Sequence, residues 1–84
     1  MKILHVLRSI DDEWAVSIAQ EHLKEHNVGV LLLHDAVLTE VPLNVETVAC
    51  QDDVEARGGR SKYPTVDYDG IARMLFEYDR VISW

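Results

Sequence analysis

Val28-Gly29-Val30-Leu31-Leu32-Leu33 is the strongest strand signal in this 84-residue chain, apolar throughout except for Gly29. A strand with one wet face alternates apolar and polar residues, whereas a continuous apolar run is buried on both sides. The stretch therefore reads as a central strand of a parallel sheet with helices over both faces. Working outward, Ile3 to Leu7 is a shorter run of the same kind and predicts a second buried strand. Between the two, Ser9-Ile10-Asp11-Asp12 offers a helix cap with acids in the first turn. Trp14, Ala15, Ile18, Ala19 and Leu23 come next at helical spacing and form one apolar face, with Trp14 expected in the core or at a subunit interface.

On the other side of the central run, only His34 to Asn44 separates it from the next strand, Val45 to Cys50. A parallel crossover ordinarily takes a dozen or more residues, usually including a helix. One or two helical turns fit near Ala36 to Thr39, and Pro42 interrupts the remainder of the connection. A thinly covered sheet face is expected here, and because exposed apolar patches mark contact surfaces, so is oligomerisation. Cys50 to Gly58 reads as a turn, a short helix and a glycine stop. Arg60, Ser61 and Lys62 form a basic loop, and Tyr63 to Val66 a brief strand, placed at an edge by Pro64. Asp67 or Asp69 caps a last helix bearing Ile71, Met74, Leu75 and Tyr78, and Arg80 to Trp84 is the final strand. This order predicts one α/β domain over residues 1–84, three layers α/β/α with a mostly parallel five-stranded sheet.

The net charge is −7, from 8 basic and 15 acidic residues. A nucleic-acid grip needs a basic stripe, so direct nucleic-acid binding is not expected, nor is binding to an anionic membrane. No apolar run approaches the ~20 residues that span a bilayer. Three lysines against eight aspartates suit a salt-rich host and an ordinary acidic protein alike. One cysteine forms no disulfide within the chain, so a stapled secreted domain is not indicated, and a cytoplasmic location is expected. Arg8-Ser9-Ile10-Asp11 after the first strand lacks glycine, which speaks against a phosphate-binding loop.

Cys50 is the residue with a chemical reading. It stands at the carboxyl end of a strand, where open α/β sheets bind ligands, and beside a helix start, whose dipole and free N–H groups favour thiolate. Asp52 and Asp53 oppose that effect if they lie close, leaving Arg57 and Arg60 to compensate. A small buried hydrophobe is the structural alternative for a free cysteine. Arg57 is expected to pair with carboxylates or helix carbonyls, and Gly58 to supply a left-handed helix end. His34 and Asp35, just past the central strand, are candidates for a turn or an interface. His22 and His26 share a helix face at a spacing that suits a metal, but no third ligand accompanies them, so they read as solvated side chains. His5 reads as a satisfied structural histidine, and Tyr68 and Tyr78 as packing residues with a polar tip.

Four segments resemble the DsrE, DsrF, DsrH and TusB, TusC, TusD superfamily of sulfur-relay proteins. Ile3-Leu4-His5-Val6-Leu7-Arg8-Ser9 looks like the opening of DsrH and TusB chains. Val30-Leu31-Leu32-Leu33-His34-Asp35-Ala36-Val37 resembles their strand and Asp-Gly-Val turn, with Ala36 in place of glycine. Asp53-Val54-Glu55-Ala56-Arg57-Gly58 resembles their Asp-x-x-Ala-Arg-Gly helix end, and Tyr78-Asp79-Arg80-Val81-Ile82-Ser83-Trp84 their closing strand.

The resemblance implies a DsrE/DsrF-like fold. It also implies a subunit of a cytoplasmic assembly that passes persulfide sulfur, either toward 2-thiouridine in tRNA or during oxidation of stored sulfur. Overall the chain looks closest to the DsrH/TusB type, whose TusB members are not sulfur carriers. Cys50 with Arg57 and Gly58 nevertheless matches the TusD-type spacing of cysteine to Arg-Gly, at a position usually apolar in DsrH and TusB. Gln20 lies near where DsrH has its own cysteine. The resemblance thus supports two readings: a carrier acting through Cys50, with His34, Asp35, Asp53, Arg57, Gly58 and Arg60 in support or at an interface, or a non-catalytic subunit organising TusC/TusD-like or DsrE/DsrF-like partners. Either implies similar small subunits, the same or different, and a persulfide donor protein. The exchange chemistry needs no metal and no organic cofactor.

Overall fold

The computed structural model describes residues 1–40 and 43–84. In chain order the elements are β1 (Lys2–Leu7), α1 (Glu13–His22), β2 (Asn27–Leu32), a 3-10 turn (His34–Leu38), β3 (Glu46–Cys50), α2 (Gln51–Ala56), β4 (Thr65–Val66), α3 (Tyr68–Glu77) and β5 (Arg80–Ser83). The five strands lie in the order β4-β3-β2-β1-β5, and every pairing is parallel. The sheet expected to be mostly parallel is parallel throughout. The apolar run quoted first is its centre: Val28 to Leu32 are all buried, as a strand covered on both faces requires.

The chain steps outward from β1 to β4, covering one face with α1, the 3-10 turn and α2. Ala15, Val16 and Ala19 of α1, Ala36 and Val37 of the turn, and Val54 of α2 pack there on Leu7, Val28, Val30, Leu32 and Ala49. α3 then crosses the opposite face alone to bring β5 beside β1. Its Ile71 and Met74, with Tyr78, pack on Leu4, Val6 and Leu31. Asp12 caps α1 by accepting the Ala15 N–H at 3.0 Å, and Asp67, rather than Asp69, caps α3 through the Gly70 N–H at 2.8 Å.

Three expectations are corrected. The short connection after β2 does not leave its face thinly covered, because the 3-10 turn buries Ala36 and Val37 completely. The expected break at Pro42 lies outside the described residues. Thin cover is found instead on the opposite face, where α3 has no fully buried residue and Phe76 is 93% exposed. Of the two places expected for Trp14, the core is ruled out: it is 73% exposed, because α1 turns Ala15 and Ala19 to the sheet. His22 is not a solvated side chain but half-buried, with its Nδ1 3.1 Å from Nε2 of the buried His5. His5 is the satisfied structural histidine expected, since Trp84 Nε1–H donates to its Nδ1 at 3.0 Å.

Candidate functional site

β3 ends at Cys50, which is also the N-cap of α2. α2 departs toward the α1 face, where Val54 enters the core. The neighbouring β4 ends at Val66, paired with Cys50, and α3 departs toward the other face. Two adjacent parallel strands whose helices part to opposite faces leave a crevice outside their carboxyl ends, the usual ligand position in an open α/β sheet. Cys50 stands on one lip and Tyr68 on the other. Tyr68 is 64% exposed, and its hydroxyl pKa is pushed up by the Asp52 carboxylate first and by Cys50 next.

The Cys50 side chain is only 2% exposed. Burial is the largest influence on the thiol and pushes its pKa up. The main-chain N–H groups of Asp53 and Asp52 pull it down, while the Asp53 carboxylate adds to the rise. The start of α2 does support the thiolate, as its position in the sequence suggests, but loss of water outweighs that support. The resting group at neutral pH is a shielded thiol.

Four of the six residues expected around Cys50 form one network. His34 turns the chain after β2 at a left-handed φ of 49°, and its N–H donates to Asp53 Oδ2 at 2.8 Å. Arg57 Nε–H donates to Asp35 Oδ1 at 2.9 Å, and its Nη1–H to the Asp53 carbonyl at 3.2 Å. The Asp53 carboxylate is a further 3.8 Å from Nη1. Planar guanidinium donors thus join α2 to the turn after β2, satisfying carboxylates and a helix carbonyl together. Gly58 takes no part: its φ of 102° ends α2, and the space around its α-carbon is open. Arg60 lies apart as well, lining a hollow with Lys62, Thr39 and Glu40 that does not include Cys50.

Tyr68 is the site residue that sequence reasoning missed as such. Its signal was present in the chain, since the strand before it ends level with Cys50 and the Asp67 cap sets it at the first position of α3. The arrangement holds one thiol away from bulk water at the start of α2, with an acidic rim formed by Asp52 and Asp53. Among the described residues, no group of three or more His, Cys, Asp and Glu side chains is placed to hold a metal ion. Among them, too, no helix is long and apolar enough to cross a membrane.

No protein-family model matches the chain, and no curated protein matches its sequence. Among solved structures it is similar to the ychN protein from E. coli, with a TM-score of 0.78 and 16% sequence identity. The likeness covers 100% of this chain and 99% of that one. It shows the fold: a five-stranded, all-parallel α/β/α domain.

Proposed function

We propose that this chain is a subunit of a sulfur-relay assembly and that Cys50 accepts and passes on a sulfane sulfur. One observation carries the reading: the only thiol of the chain stands where β3 ends and α2 begins, level with the end of β4, at the carboxyl edge of the parallel sheet. The resemblance of four sequence segments to sulfur-relay proteins supports it. In the step, the Cys50 thiolate attacks the outer sulfur of a donor persulfide. The donor S–S bond breaks, its inner sulfur leaves as thiolate, and Cys50 becomes a persulfide with no net oxidation or reduction. Transfer onward repeats the exchange with Cys50 as the leaving group. Thiolate and product persulfide anion are the species that the start of a helix favours.

The partners in this reading are a persulfide donor protein and similar small subunits. Leu75, Phe76 and Val81 are exposed apolar residues on α3 and β5, which suits a chain that buries this side in an oligomer. A reducing compartment such as the cytoplasm suits a carrier thiol. With a net charge of −7, the chain itself is not the subunit that would grip RNA.

The near-complete burial of Cys50 favours a second reading, in which the chain organises active partners and the thiol only packs. Intact mass after incubation with a persulfide donor separates the two. A gain of ~32 Da, the mass of one sulfur, that is removed by reductant and absent in Cys50→Ser supports the carrier. No gain, together with slow alkylation of Cys50, supports the organising subunit.

A further inference from the structure

A tryptophan and two histidines lie in one line between β1, α1 and the residue after β5. Trp84 Nε1 is 3.0 Å from His5 Nδ1, and His5 Nε2 is 3.1 Å from His22 Nδ1. An indole N–H only donates, so His5 Nδ1 presents a lone pair. A neutral imidazole has one proton, which in His5 then stands on Nε2 and points at His22 Nδ1. His22 accepts it there and keeps its own proton on Nε2. One obligate donor thereby sets the tautomer of both rings. His5 is completely buried, and burial first, then His22, lowers its pKa to about 4. The folded chain therefore holds His5 neutral well into the acid range.

We propose that this line is a pH-sensitive latch on the Trp84 indole, just past the end of β5, closed while His22 is neutral and opened when His22 takes up a proton. Protonated His22 carries N–H on both nitrogens. Its Nδ1–H then faces the Nε2–H of His5, two donors where one bond stood. His5 can restore that bond only by moving its proton to Nδ1, where it faces the Trp84 N–H. Every arrangement loses one of the two bonds, and the second route releases the indole. β5 is also held by its parallel ladder to β1, although Arg80, Val81 and Ser83 are exposed, so the line acts on the indole beyond the ladder. Trp84 is held besides by its main-chain N–H to the Val6 carbonyl at 2.9 Å, by Arg8 Nε–H to its own carbonyl at 3.0 Å and by packing against the core on the α1 face.

The charged surroundings of the pair are few. On α1 and the turn after it stand exposed Glu21, 3.1 Å from Lys24, and exposed Glu25. His26 comes after them, half-buried, its ring edge-on to His22 with centroids 6.3 Å apart and its Nδ1 buried without a partner. β5 contributes Arg80, paired with Ile3 and so on the face of His5, and Arg8 reaches in at Trp84. β2 contains no ionisable residue. The nearest ring to His22 other than His5 is thus another histidine, and among the described residues no carboxylate bonds to the line.

The test is Trp84 emission in a Trp14→Phe background, which leaves one tryptophan. Between about pH 8 and about pH 5, where histidine changes charge, emission should shift in a single step. The step should be absent in His22→Asn, whose amide oxygen replaces Nδ1 as acceptor and takes no proton, and kept in His26→Asn. In the unsubstituted protein, nitrogen NMR at the alkaline end should show His5 and His22 both protonated on Nε2. Exchange of the Trp84 amide, corrected for intrinsic rate, should quicken about tenfold at the acid end, the equivalent of one lost hydrogen bond. A step that persists in His22→Asn or disappears in His26→Asn overturns the latch. So does an Nδ1-protonated His5 in the unsubstituted protein, a result that depends on no variant folding.

Discussion

Asp53 Oδ2 accepts the main-chain N–H of His34 at 2.8 Å, and this bond ties α2 to the turn after β2 where the backbone is left-handed. A residue with a side chain costs about 1 kcal/mol in that conformation, and the bond offsets it. The same carboxylate lies beside Arg57 and raises the pKa of the Cys50 thiol. One side chain therefore serves both the shape of the site and the state of its sulfur.

Substitution at Asp53 should separate those roles. Asp53→Ala removes acceptor and charge and is expected to lower stability by about 1–2 kcal/mol in denaturant melts. Asp53→Asn keeps an acceptor and should cost less. With the negative charge gone, Cys50 in Asp53→Asn should ionise at lower pH, so its alkylation profile moves toward acid. A profile that stays in place would show that the carboxylate does not act on the sulfur.

Gly29 is the one break in the central apolar run, and Tyr78 explains it. A Cβ at Gly29 would meet the Tyr78 hydroxyl and lie 2.8 Å from its Cζ. The ring closes over β2 from just past the end of α3, so a larger residue must displace the Tyr78 ring from the strand. Gly29→Ala is expected to cost about 1–3 kcal/mol, as overpacking does, despite the better strand propensity of alanine. Tyr78→Phe removes the closest atom. A double-mutant cycle should show about 1 kcal/mol of favourable coupling, and equal costs in both backgrounds would remove Tyr78 as the cause.

Acid should destabilise this fold through His5. Its folded pKa is about 4, below the ordinary 6.5, because burial and His22 oppose the charged form. From 6.5 down to about 4 the unfolded chain binds the proton that the folded chain refuses. Stability is full above this window, falls as pH drops through it, and the His5 contribution levels off below. The slope should reach about 1 kcal/mol per pH unit in denaturant melts taken through the window. His5→Asn should flatten it, whereas an unchanged slope would place the acid sensitivity elsewhere.

Much of this was legible in the sequence because it is local. Val28 to Leu32 are a buried strand since no polar residue interrupts them, and Cys50 joins β3 to α2 as its flanking patterns say. Arg57 pairs with carboxylates and a helix carbonyl, as one residue amid those acids should. What was not legible depends on how distant segments meet. Burial outweighs the helix start at Cys50 only because the sheet and its helices close around the sulfur. His5 and His22 touch only once α1 lies along β1, so the spacing of His22 to His26 suggested a solvated pair instead. Trp14 shares its helical stripe with Ala15, yet the close approach of α1 to the sheet favours the small residue and turns the indole outward.

Phe76 tests whether the outer side of α3 is a contact surface. α3 uses Ile71 and Met74 against the sheet, which leaves Phe76 and Leu75 facing away from it. A phenylalanine in water contributes little to the fold of a lone chain, so Phe76→Glu should change its unfolding free energy by no more than about 0.5 kcal/mol. Placed in an oligomer contact, the same glutamate would bury an unpaired charge, which costs several kcal/mol. The unsubstituted chain is therefore expected to sediment as an oligomer whose population grows with concentration, and Phe76→Glu to sediment as a monomer whose melt matches that of the unsubstituted chain at dilutions where it too is monomeric. Association that survives Phe76→Glu would place the contact elsewhere on the molecule. A monomer in both forms would leave α3 for a partner of different sequence, and amides around Phe76 would then gain protection from hydrogen exchange only when that partner is added.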